Sequence, residues 1–407
     1  MVDPKNNNNS NNSDLIEALK TEEENEEITS RSQNLELKNK MRKMIFLIIV
    51  IVVLLIIVLL LLSLSGSKKN SYSDIEKVMV NAAQKYYNSN SSLLPSADKA
   101  TSEVSVQKLI NGGYMKSLDK YNPKAASCSG KVVVENNDDT YLYVSYLDCG
   151  SNYTTTELFR EITKSSNIVD SDEGLYKIND EYVFRGENVN NYVKMDENLW
   201  RIVKVDKNDD IVLIYDGLYW INHEWDDRYN SELNMNYGYN NYKKSRVKEY
   251  LEDIYNASKK GDTTTYTTLL FTNDSIKYLT SYDLCVGKRN DTQTQNNNMY
   301  ECQDVLENTK VGLLTLSDYI SASVDPSCKS SKDSSCQNYN FIATRDSFWL
   351  ATGTTQNSYG VYEVDRSGVV EAVPAGSYSG IRPVVHLSSK TMFGSGKGTK
   401  DSPYLIK

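Results

Sequence analysis

One uninterrupted apolar run dominates this sequence. It extends from Met44 to Leu62, nineteen residues with no polar side-chain group apart from a thioether, and Ser63 and Leu64 prolong it. As a helix it spans about 28 Å at about 1.5 Å per residue, which matches a bilayer core of about 30 Å. Core helices almost never lack a polar face over this length, and a cleaved signal peptide has a shorter apolar stretch nearer its start. The sequence therefore predicts an uncleaved signal anchor over residues 44–64.

Basic residues flank this run unequally, and the imbalance predicts its orientation. Four precede it and two follow it: Lys38, Lys40, Arg42 and Lys43, against Lys68 and Lys69. Positive charge is retained on the cytoplasmic side of membranes. We therefore expect a single-pass protein of the cell membrane, with a cytoplasmic N-terminus and extracellular C-terminal domains.

The tail before the anchor, residues 1–43, is predicted to be a disordered cytoplasmic segment. It joins an Asn-rich stretch to a run of glutamates, and such composition buries too little apolar surface to fold alone. The whole chain carries a formal net charge of −9 without a long basic run. This charge excludes nucleic acid as a partner class.

All the cysteines follow the apolar run, at Cys128, Cys149, Cys285, Cys302, Cys328 and Cys336. An even number confined to the predicted exterior indicates disulfides formed in an oxidising compartment. Residues 131–135 and 141–147 read as a hairpin in which Cys128 and Cys149 fall nearly opposite each other, so we expect them to bond. Cys285–Cys302 and Cys328–Cys336 are the simplest remaining pairs among the fifteen connectivities that six cysteines allow.

Residues 71–155 read as a helix, a second short helix and the disulfide-closed hairpin. Ser73 and Glu76 match a capping box at the start of the first helix, and Val104 to Ile110 predicts the second. The stretches KVMVNAAQKYYNSN and VSVQKLINGGYMKSL, followed by the Tyr-rich hairpin, resemble pilin-like and pseudopilin-like exported domains. The resemblance implies a pilin-like head on the membrane anchor.

Residues 175–407 are predicted to form a mainly antiparallel α+β domain. A helix is expected from Ser245 to Tyr255, because apolar residues recur there on one face. Six segments read as strands, namely Tyr182–Arg185, Leu199–Val205, Ile211–Tyr215, Val361–Val364, Val369–Val373 and Pro383–Leu387. Strands combined with few helices and long polar loops indicate the α+β class.

Five stretches of this region also carry a family resemblance. They are FRGENVNNYVKMDENLWRIVKV, YKKSRVKEYLEDIYN, VGLLTLSDYISA, SFWLATG and SGIRPVVHLSSKTMFGSGKGTKDSPYLI, with Gly398 to Tyr404 the most distinctive part. They are similar to an uncharacterised family of surface-protein domains from low-GC Gram-positive bacteria. That family is distantly similar to C-type-lectin-like and sulfatase-modifying-factor-like folds. The resemblance implies a fold, and no activity is established for the family.

One short segment concentrates polar and aromatic side chains, and we predict it as the ligand-binding candidate. Its residues are Trp220, Asn222, His223, Glu224, Trp225, Asp226 and Asp227. Its carboxylates and amide suit Ca²⁺, and a Trp beside polar groups suits a sugar face. The alternative is an ordinary loop with a buried Trp and solvated acids. His386 lies in an apolar strand-like run, which indicates a packed structural histidine.

No spacing in the chain singles out catalytic residues, a cofactor site or a metal site. The sequence therefore favours a non-enzymatic, membrane-anchored extracellular interaction module that binds a surface glycan, a cell-wall polymer or a protein. An exported cell-wall-acting hydrolase and a pilin-like structural subunit of an envelope assembly are the alternatives. Ca²⁺ is the one cofactor left open.

Overall fold

The computed structural model describes residues 11–64, 69–138, 140–264, 266, 268–294 and 298–407. Within the first helix, side chains are described at residues 30, 31 and 34–58. The chain divides into two compact units, Met1–Lys69 and Asn70–Lys407.

The first unit contains one long helix, α1, Asn11–Leu64. Its segment Asn34–Val58 is long and apolar enough to cross a membrane, with a mean hydropathy of 3.0. Every side chain of this segment is exposed within the part of the chain that the structure describes. A helix long and apolar enough for a membrane anchor is thus present, and residues 59–64 of the predicted anchor lie outside the described side chains.

The predicted disorder of the tail is wrong for residues 11–43, which continue α1 towards the N-terminus. Residues 1–10 lie outside the described residues. Glu, Lys, Leu and Ala are strong helix formers, so this segment can be helical without a partner surface. Its described side chains, at residues 30, 31 and 34–43, are all exposed. Composition therefore predicts the lack of packing and misses the local helix.

The second unit begins with a helix packed on a three-stranded antiparallel sheet in the order β1-β2-β3. Its elements are α2 Tyr72–Ser89, β1 Thr101–Ser105, α3 Val106–Asn111, β2 Ser129–Asn137, β3 Thr140–Asp148 and α4 Leu158–Ile162. Ile75, Met79 and Ala83 lie on the buried face of α2 and pack against Val132 and Val134 of β2. The spacing of Ile75, Met79 and Ala83 at intervals of four positions is what places them on one face of the helix.

Two predictions for this region change in detail. The capping box uses Ser71 and Asp74, whose side chains each accept a hydrogen bond from the other's backbone N–H, at 3.1 and 3.0 Å. The predicted pair, Ser73 and Glu76, lies two residues later in the chain and does not form the box. Val104 lies in β1 rather than in a helix, because pairing with β2 holds the chain extended up to Ser105.

Glu76 does not cap the helix; its side chain instead contacts residues that are distant in the sequence. Its side chain is 3% exposed, and its carboxylate accepts hydrogen bonds from Tyr153 at 2.9 Å and from Thr155. The ammonium group of Lys407 lies 2.6 Å from the same carboxylate and 2.8 Å from the Tyr153 hydroxyl. This buried ion pair joins α2 to the far end of the sequence.

The hairpin register explains the first disulfide. Facing residues of β2 and β3 run from Ser129 opposite Asp148 to Asn137 opposite Thr140, so Cys128 and Cys149 follow immediately beyond the paired ends. They form a disulfide, as predicted. Cys285–Cys302 and Cys328–Cys336 form the other two bonds, which confirms the simplest pairing of the remaining four cysteines.

The rest of the second unit is built from two larger sheets and a short hairpin. The first half of its elements comprises β4 Gly174–Ile178, β5 Glu181–Arg185, β6 Tyr192–Met195, β7 Asn198–Val205, β8 Ile211–Tyr215, β9 Trp220–Glu224, α5 Arg246–Lys260, β10 Leu279–Thr280, β11 Tyr282–Cys285 and β12 Val305–Thr309. The second half comprises α6 Leu316–Ser321, β13 Phe348–Gly353, β14 Gly360–Val364, β15 Val370–Pro374, β16 Tyr378–Ile381, β17 Val384–Leu387, β18 Phe393–Ser395 and β19 Tyr404–Ile406. All six predicted strands are present with shifts of at most one residue at their ends, and the predicted helix is present but continues five residues beyond Tyr255, to Lys260.

The nine-stranded sheet has the order β10-β17-β8-β7-β6-β19-β18, with β5 also beside β7 and β4 beside β5. The five-stranded sheet has the order β15-β14-β13-β16-β9, and β11 pairs with β12 alone. Neighbours are antiparallel except β6–β19 and β13–β16. Trp200, Trp225 and Trp349 are fully buried in the core that this part of the chain shares. The structure is therefore the predicted mainly antiparallel α+β type.

The distinctive Gly398 to Tyr404 element brings the last strand to its place. Gly398 has a positive φ of 73°, and a Cβ there would lie 2.5 Å from the carbonyl oxygen of Asn190, so only glycine fits without displacement. The carbonyl oxygen of Gly398 accepts a hydrogen bond from the Tyr192 N–H at 2.8 Å. Tyr404 then pairs with Val193 as β19 runs parallel to β6.

Candidate binding cleft

A row of residues crosses one face of the nine-stranded sheet and forms the floor of a cleft. Val183 faces Lys204, Lys204 faces Val212, Val212 faces His386, and His386 faces Thr280. Directly opposed residues on neighbouring strands project from the same face of a sheet. The β5-β7-β8-β17-β10 order therefore brings Lys204 and His386, 182 positions apart in the sequence, onto one surface.

The cleft above this floor has a volume of about 1050 Å³. The β7–β8 turn supplies Asp206, Lys207, Asn208 and Asp210. The β11–β12 hairpin and the Cys285–Cys302 disulfide supply Asp283, Leu284 and Val305 on another side. Asp318 comes from the first turn of α6, which Thr315 caps. Residues 98–99 and 178–181 also line the cleft, so segments that are distant in the sequence surround the floor.

Lys204 is held by two carboxylates. Its ammonium group lies 3.2 Å from Asp318 and 3.5 Å from Glu181, and its side chain is nearly enclosed. Burial by itself would lower the pKa of Lys204, but the charges of Asp318 and Glu181 outweigh burial and raise that pKa. Lys204 therefore stays charged and is neutralised within the protein.

His386 is the second polar group of the floor, and it is 8% exposed. Its Nδ1 lies 3.6 Å from an Asp206 oxygen, too far for a hydrogen bond, and has no hydrogen-bond partner within the described chain. The ring stacks on Tyr282 at 3.8 Å between ring centres and 3° between planes. Burial lowers the pKa of His386, whereas Asp206 opposes that shift. His386 is therefore a neutral imidazole of fixed orientation at neutral pH.

The two carboxyl groups of the β7–β8 turn differ in acidity. Burial by itself would raise the pKa of Asp206, but the interaction with the nearby His386 and the hydrogen bonds from the backbone N–H groups of Asn208 and Asp210 lower it overall. Burial, reinforced by the charge of Asp206, raises the pKa of Asp210 to about 7. One carboxyl group is thus charged and its neighbour is partly protonated near neutral pH.

Asp210 should make stability depend on pH. Its folded-state pKa of about 7 exceeds the usual value of 3.8, so the folded protein holds an extra proton between these pH values. This contribution to stability is fully present below about pH 4 and is lost as the pH rises through about 7. Asp210→Asn keeps the carbonyl oxygen that accepts from Ser389 and removes the ionisation. Between pH 4.5 and pH 8, we expect the free energy of unfolding of the native chain to fall by about 2–3 kcal/mol relative to that of the variant.

Urea unfolding of the full chain in detergent, at pH 4.5, 6 and 8, measures this difference. Asp274→Asn is the matched control, because the Asp274 side chain is fully exposed. The assignment of the raised pKa would be contradicted by an Asp210→Asn effect that is the same at all three pH values.

The predicted cluster around residues 220–227 is divided by the fold. Trp225 is fully buried, and its indole N–H donates to the Leu350 carbonyl oxygen at 2.9 Å. Asp226 is also fully buried, forms two hydrogen bonds with Arg228 at 2.7 and 3.0 Å, and accepts from the Tyr239 N–H. These two residues therefore stabilise the interior and cannot meet a ligand at the surface.

The other five residues of that cluster remain at or near the surface of β9 and the loop after it. Trp220 is 46% exposed and meets Tyr250 of α5 edge-on at 5.7 Å, while the His223 ring lies 4.5 Å from the same Tyr250. Asn222 is exposed, Glu224 is half-buried, and Asp227 pairs with Arg246 at 3.3 Å. Among the described residues, no group of three or more His, Cys, Asp or Glu side chains could hold a metal ion.

Reasoning from the sequence alone did not find the cleft: it predicted His386 as a packed histidine, which is buried as expected, and it did not single out Lys204. Lys204 and His386 each interrupt an apolar strand run, LWRIVKV and VVHL. A polar residue at an inward strand position is a usable signal, because burying it without partners is costly. Its partners Asp318 and Asp206 lie elsewhere in the sequence, and only strand order brings them together.

No family model, no curated protein and no solved structure matches this chain. The cleft must therefore be interpreted from its own geometry and charge.

Proposed function

We propose that this protein is a membrane-anchored extracellular interaction module that binds a surface glycan, a cell-wall polymer or a protein. Its N-terminus is cytoplasmic, and residues 70–407 lie outside the cell. The apolar helix Asn34–Val58 and three disulfides, all in the second unit, support this arrangement. Disulfides persist in oxidising, extracytoplasmic compartments.

Two fold assignments belong to the same proposal. Residues 71–155 are pilin-like, and the packing of α2 on the sheet β1-β2-β3 supports this. Residues 175–407 are C-type-lectin-like, and two mainly antiparallel sheets with few helices and long loops support this. Such a fold is compatible with binding, but the site must carry the functional argument.

The cleft is the observation that carries the proposal. Its volume of about 1050 Å³ lies at the upper end of the roughly 300–1,000 Å³ typical of small-ligand sites. Its lining includes amides, hydroxyl groups and charged groups, among them Asn208, Ser281 and Thr315. A large polar cleft of this kind suits one stretch of a hydroxyl-rich polymer.

An exported cell-wall-acting hydrolase is the second candidate, and one observation favours it. Asp206 and Asp210 line the same cleft, with the pKa of Asp206 lowered and that of Asp210 raised to about 7. Neighbouring carboxyl groups whose acidities diverge are a recurrent feature of acid–base catalysis.

Binding by the full chain in lipid nanodiscs tests the proposal. The probes are an array of surface glycans, solubilised cell-wall fragments and purified surface proteins. Lys207→Trp places an indole at the exposed edge of the cleft, and Lys400→Trp is the control on an exposed loop outside the cleft lining. We expect binding to one of these classes, at least tenfold weaker in Lys207→Trp and unchanged in Lys400→Trp.

Absence of binding to every class would overturn the proposal, and so would equal binding by the two tryptophan variants. Release of soluble products from wall fragments by the native chain, lost in Asp210→Asn, would replace it with the hydrolase candidate.

A further inference from the structure

Negative charge dominates the cleft. Its described lining carries seven carboxyl groups against three lysines, a formal excess of four negative charges, or of three when Asp210, whose pKa is about 7, is protonated. The groups are Asp98, Asp180, Glu181, Asp206, Asp210, Asp283 and Asp318 against Lys99, Lys204 and Lys207. Lys204 pairs with Asp318 and Glu181, Lys99 lies 3.7 Å from Asp210, and Lys310 lies 3.8 Å from Asp98. Among the described residues, Asp180, Asp206 and Asp283 therefore remain without a lysine or arginine partner. A ligand entering this cleft therefore meets a field that favours positive charge.

The charge is spread out rather than concentrated. Asp98 precedes β1, Asp180 lies in the β4–β5 turn, Asp206 in the β7–β8 turn and Asp283 in β11. Within the described residues these carboxylates do not form a group that could hold a metal ion. Several separated cationic groups on one extended ligand match this distribution better than a single metal ion does.

His386 supplies a second indication that a ligand belongs here. It is more than nine-tenths buried, lines the cleft, and its Nδ1 has no hydrogen-bond partner within the described chain. A buried polar atom without a partner destabilises the folded protein unless a ligand or water supplies one. Its neutral imidazole, fixed by stacking on Tyr282, can bond to a hydroxyl or ammonium group.

We propose that the cleft binds a glycan that carries free ammonium groups, as de-N-acetylated amino-sugar polymers do. The carboxylates receive the ammonium groups, and the amide, hydroxyl and imidazole groups of the lining receive the sugar hydroxyls. This inference rests on the proposed function and specifies its ligand. A basic peptide also carries ammonium groups, but it lacks the hydroxyl groups that the lining amides and His386 match.

A pair of probes that differ only in acetylation tests the inference. The full chain in nanodiscs is titrated at about pH 5.5 with a glucosamine hexamer and with its fully N-acetylated counterpart, and pentalysine serves as the peptide probe. We expect the free-amine hexamer to bind at least tenfold more tightly than the acetylated one. Binding should weaken as sodium chloride is raised, because salt screens exposed charges.

Two exposed carboxylates allow the site to be localised without disturbing the core. Asp180 and Asp283 line the cleft and are exposed, so Asp180→Asn/Asp283→Asn should fold normally. We expect about fivefold weaker binding of the glucosamine hexamer, because two exposed charge pairs are lost and each contributes about 0.5 kcal/mol. The matched control is Glu197→Gln/Asp274→Asn, which removes two exposed carboxylates outside the cleft lining. The control should bind as the native chain does.

The outcomes separate this inference from the function on which it rests. Equal binding of the acetylated and free-amine hexamers would overturn the ammonium preference and leave glycan binding intact. Pentalysine binding as tightly as the glucosamine hexamer would overturn the glycan assignment, and equal loss in both double variants would overturn the site. If the chain binds other glycans or proteins and neither hexamer, the ligand assignment alone fails.

Discussion

Replacing Trp225 with alanine is expected to destabilise the second unit by about 4 kcal/mol. The indole is fully buried in the main core, edge-on to Tyr242 at 5.7 Å, and its N–H donates to Leu350 of β13. The backbone carbonyl oxygen of Trp225 also accepts from the Val247 N–H in the first turn of α5. Truncation would leave a large cavity and would remove the indole donor from the Leu350 carbonyl oxygen. Buried Trp→Ala changes cost about 3–5 kcal/mol.

Trp220→Ala is the matched control, since it removes the same side chain five residues earlier. Trp220 is 46% exposed on β9, so its loss should change the free energy of unfolding by less than about 1 kcal/mol. Trp225→Phe retains most of the volume and loses the hydrogen bond, and should fall between the two. Urea unfolding followed by circular dichroism measures all three variants. Equal effects of Trp220→Ala and Trp225→Ala would show that the burial of Trp225 is misassigned.

Lys407→Met should destabilise the protein by about 3 kcal/mol. The variant leaves the Glu76 carboxylate buried with only the hydroxyl groups of Tyr153 and Thr155 as partners. Removing one member of a buried ion pair costs about 3–5 kcal/mol, and the lower figure applies because Lys407 retains 26% side-chain exposure. Burial by itself would lower the pKa of Lys407, but the hydrogen bonds to Glu76 and Tyr153 outweigh burial and raise that pKa.

The double variant Glu76→Met/Lys407→Met distinguishes an unpaired charge from lost packing. Removing both charges should recover most of the loss, because an apolar pair of similar volume is often neutral in a buried site. Lys131→Met serves as the surface control: its partner Glu103 is 2.7 Å away, but both side chains are exposed, so the change should cost less than about 1 kcal/mol. A double variant as unstable as Lys407→Met alone would contradict the ion-pair explanation.

Local patterns in the sequence were sufficient for several elements. The hairpin spacing predicted the Cys128–Cys149 bond because antiparallel pairing relates residue numbers by a constant sum. The helix that follows Ser245 was predicted from apolar periodicity as far as Tyr255, and the Ser245 side chain caps it. Trp200 and Trp349 are buried, as their apolar surroundings indicate. Each of these features depends on residues close together in the chain.

Two kinds of feature could not be read in this way. The segment Trp220 to Asp227 is polar and aromatic throughout in the sequence. In the structure, Trp220 lies at the surface of β9, whereas Trp225, immediately after the strand, turns into the core. The cleft pairs Lys204 with Asp318 and His386 with Asp206, across more than a hundred residues. Their proximity depends on the order of β5, β7, β8, β17 and β10, which no local pattern encodes.

The sequence by itself predicted the membrane-length apolar helix, the Cys128–Cys149 bond and the α+β class, because these depend on composition, spacing and nearest neighbours. The tertiary structure alone decided which charged groups share a cleft and which are structural. Strand order brings distant residues together, and burial and neighbouring charges then set the charge state of each at neutral pH. Asp318 and Glu181 keep Lys204 charged, whereas burial keeps His386 neutral and Asp210 near the midpoint of its titration.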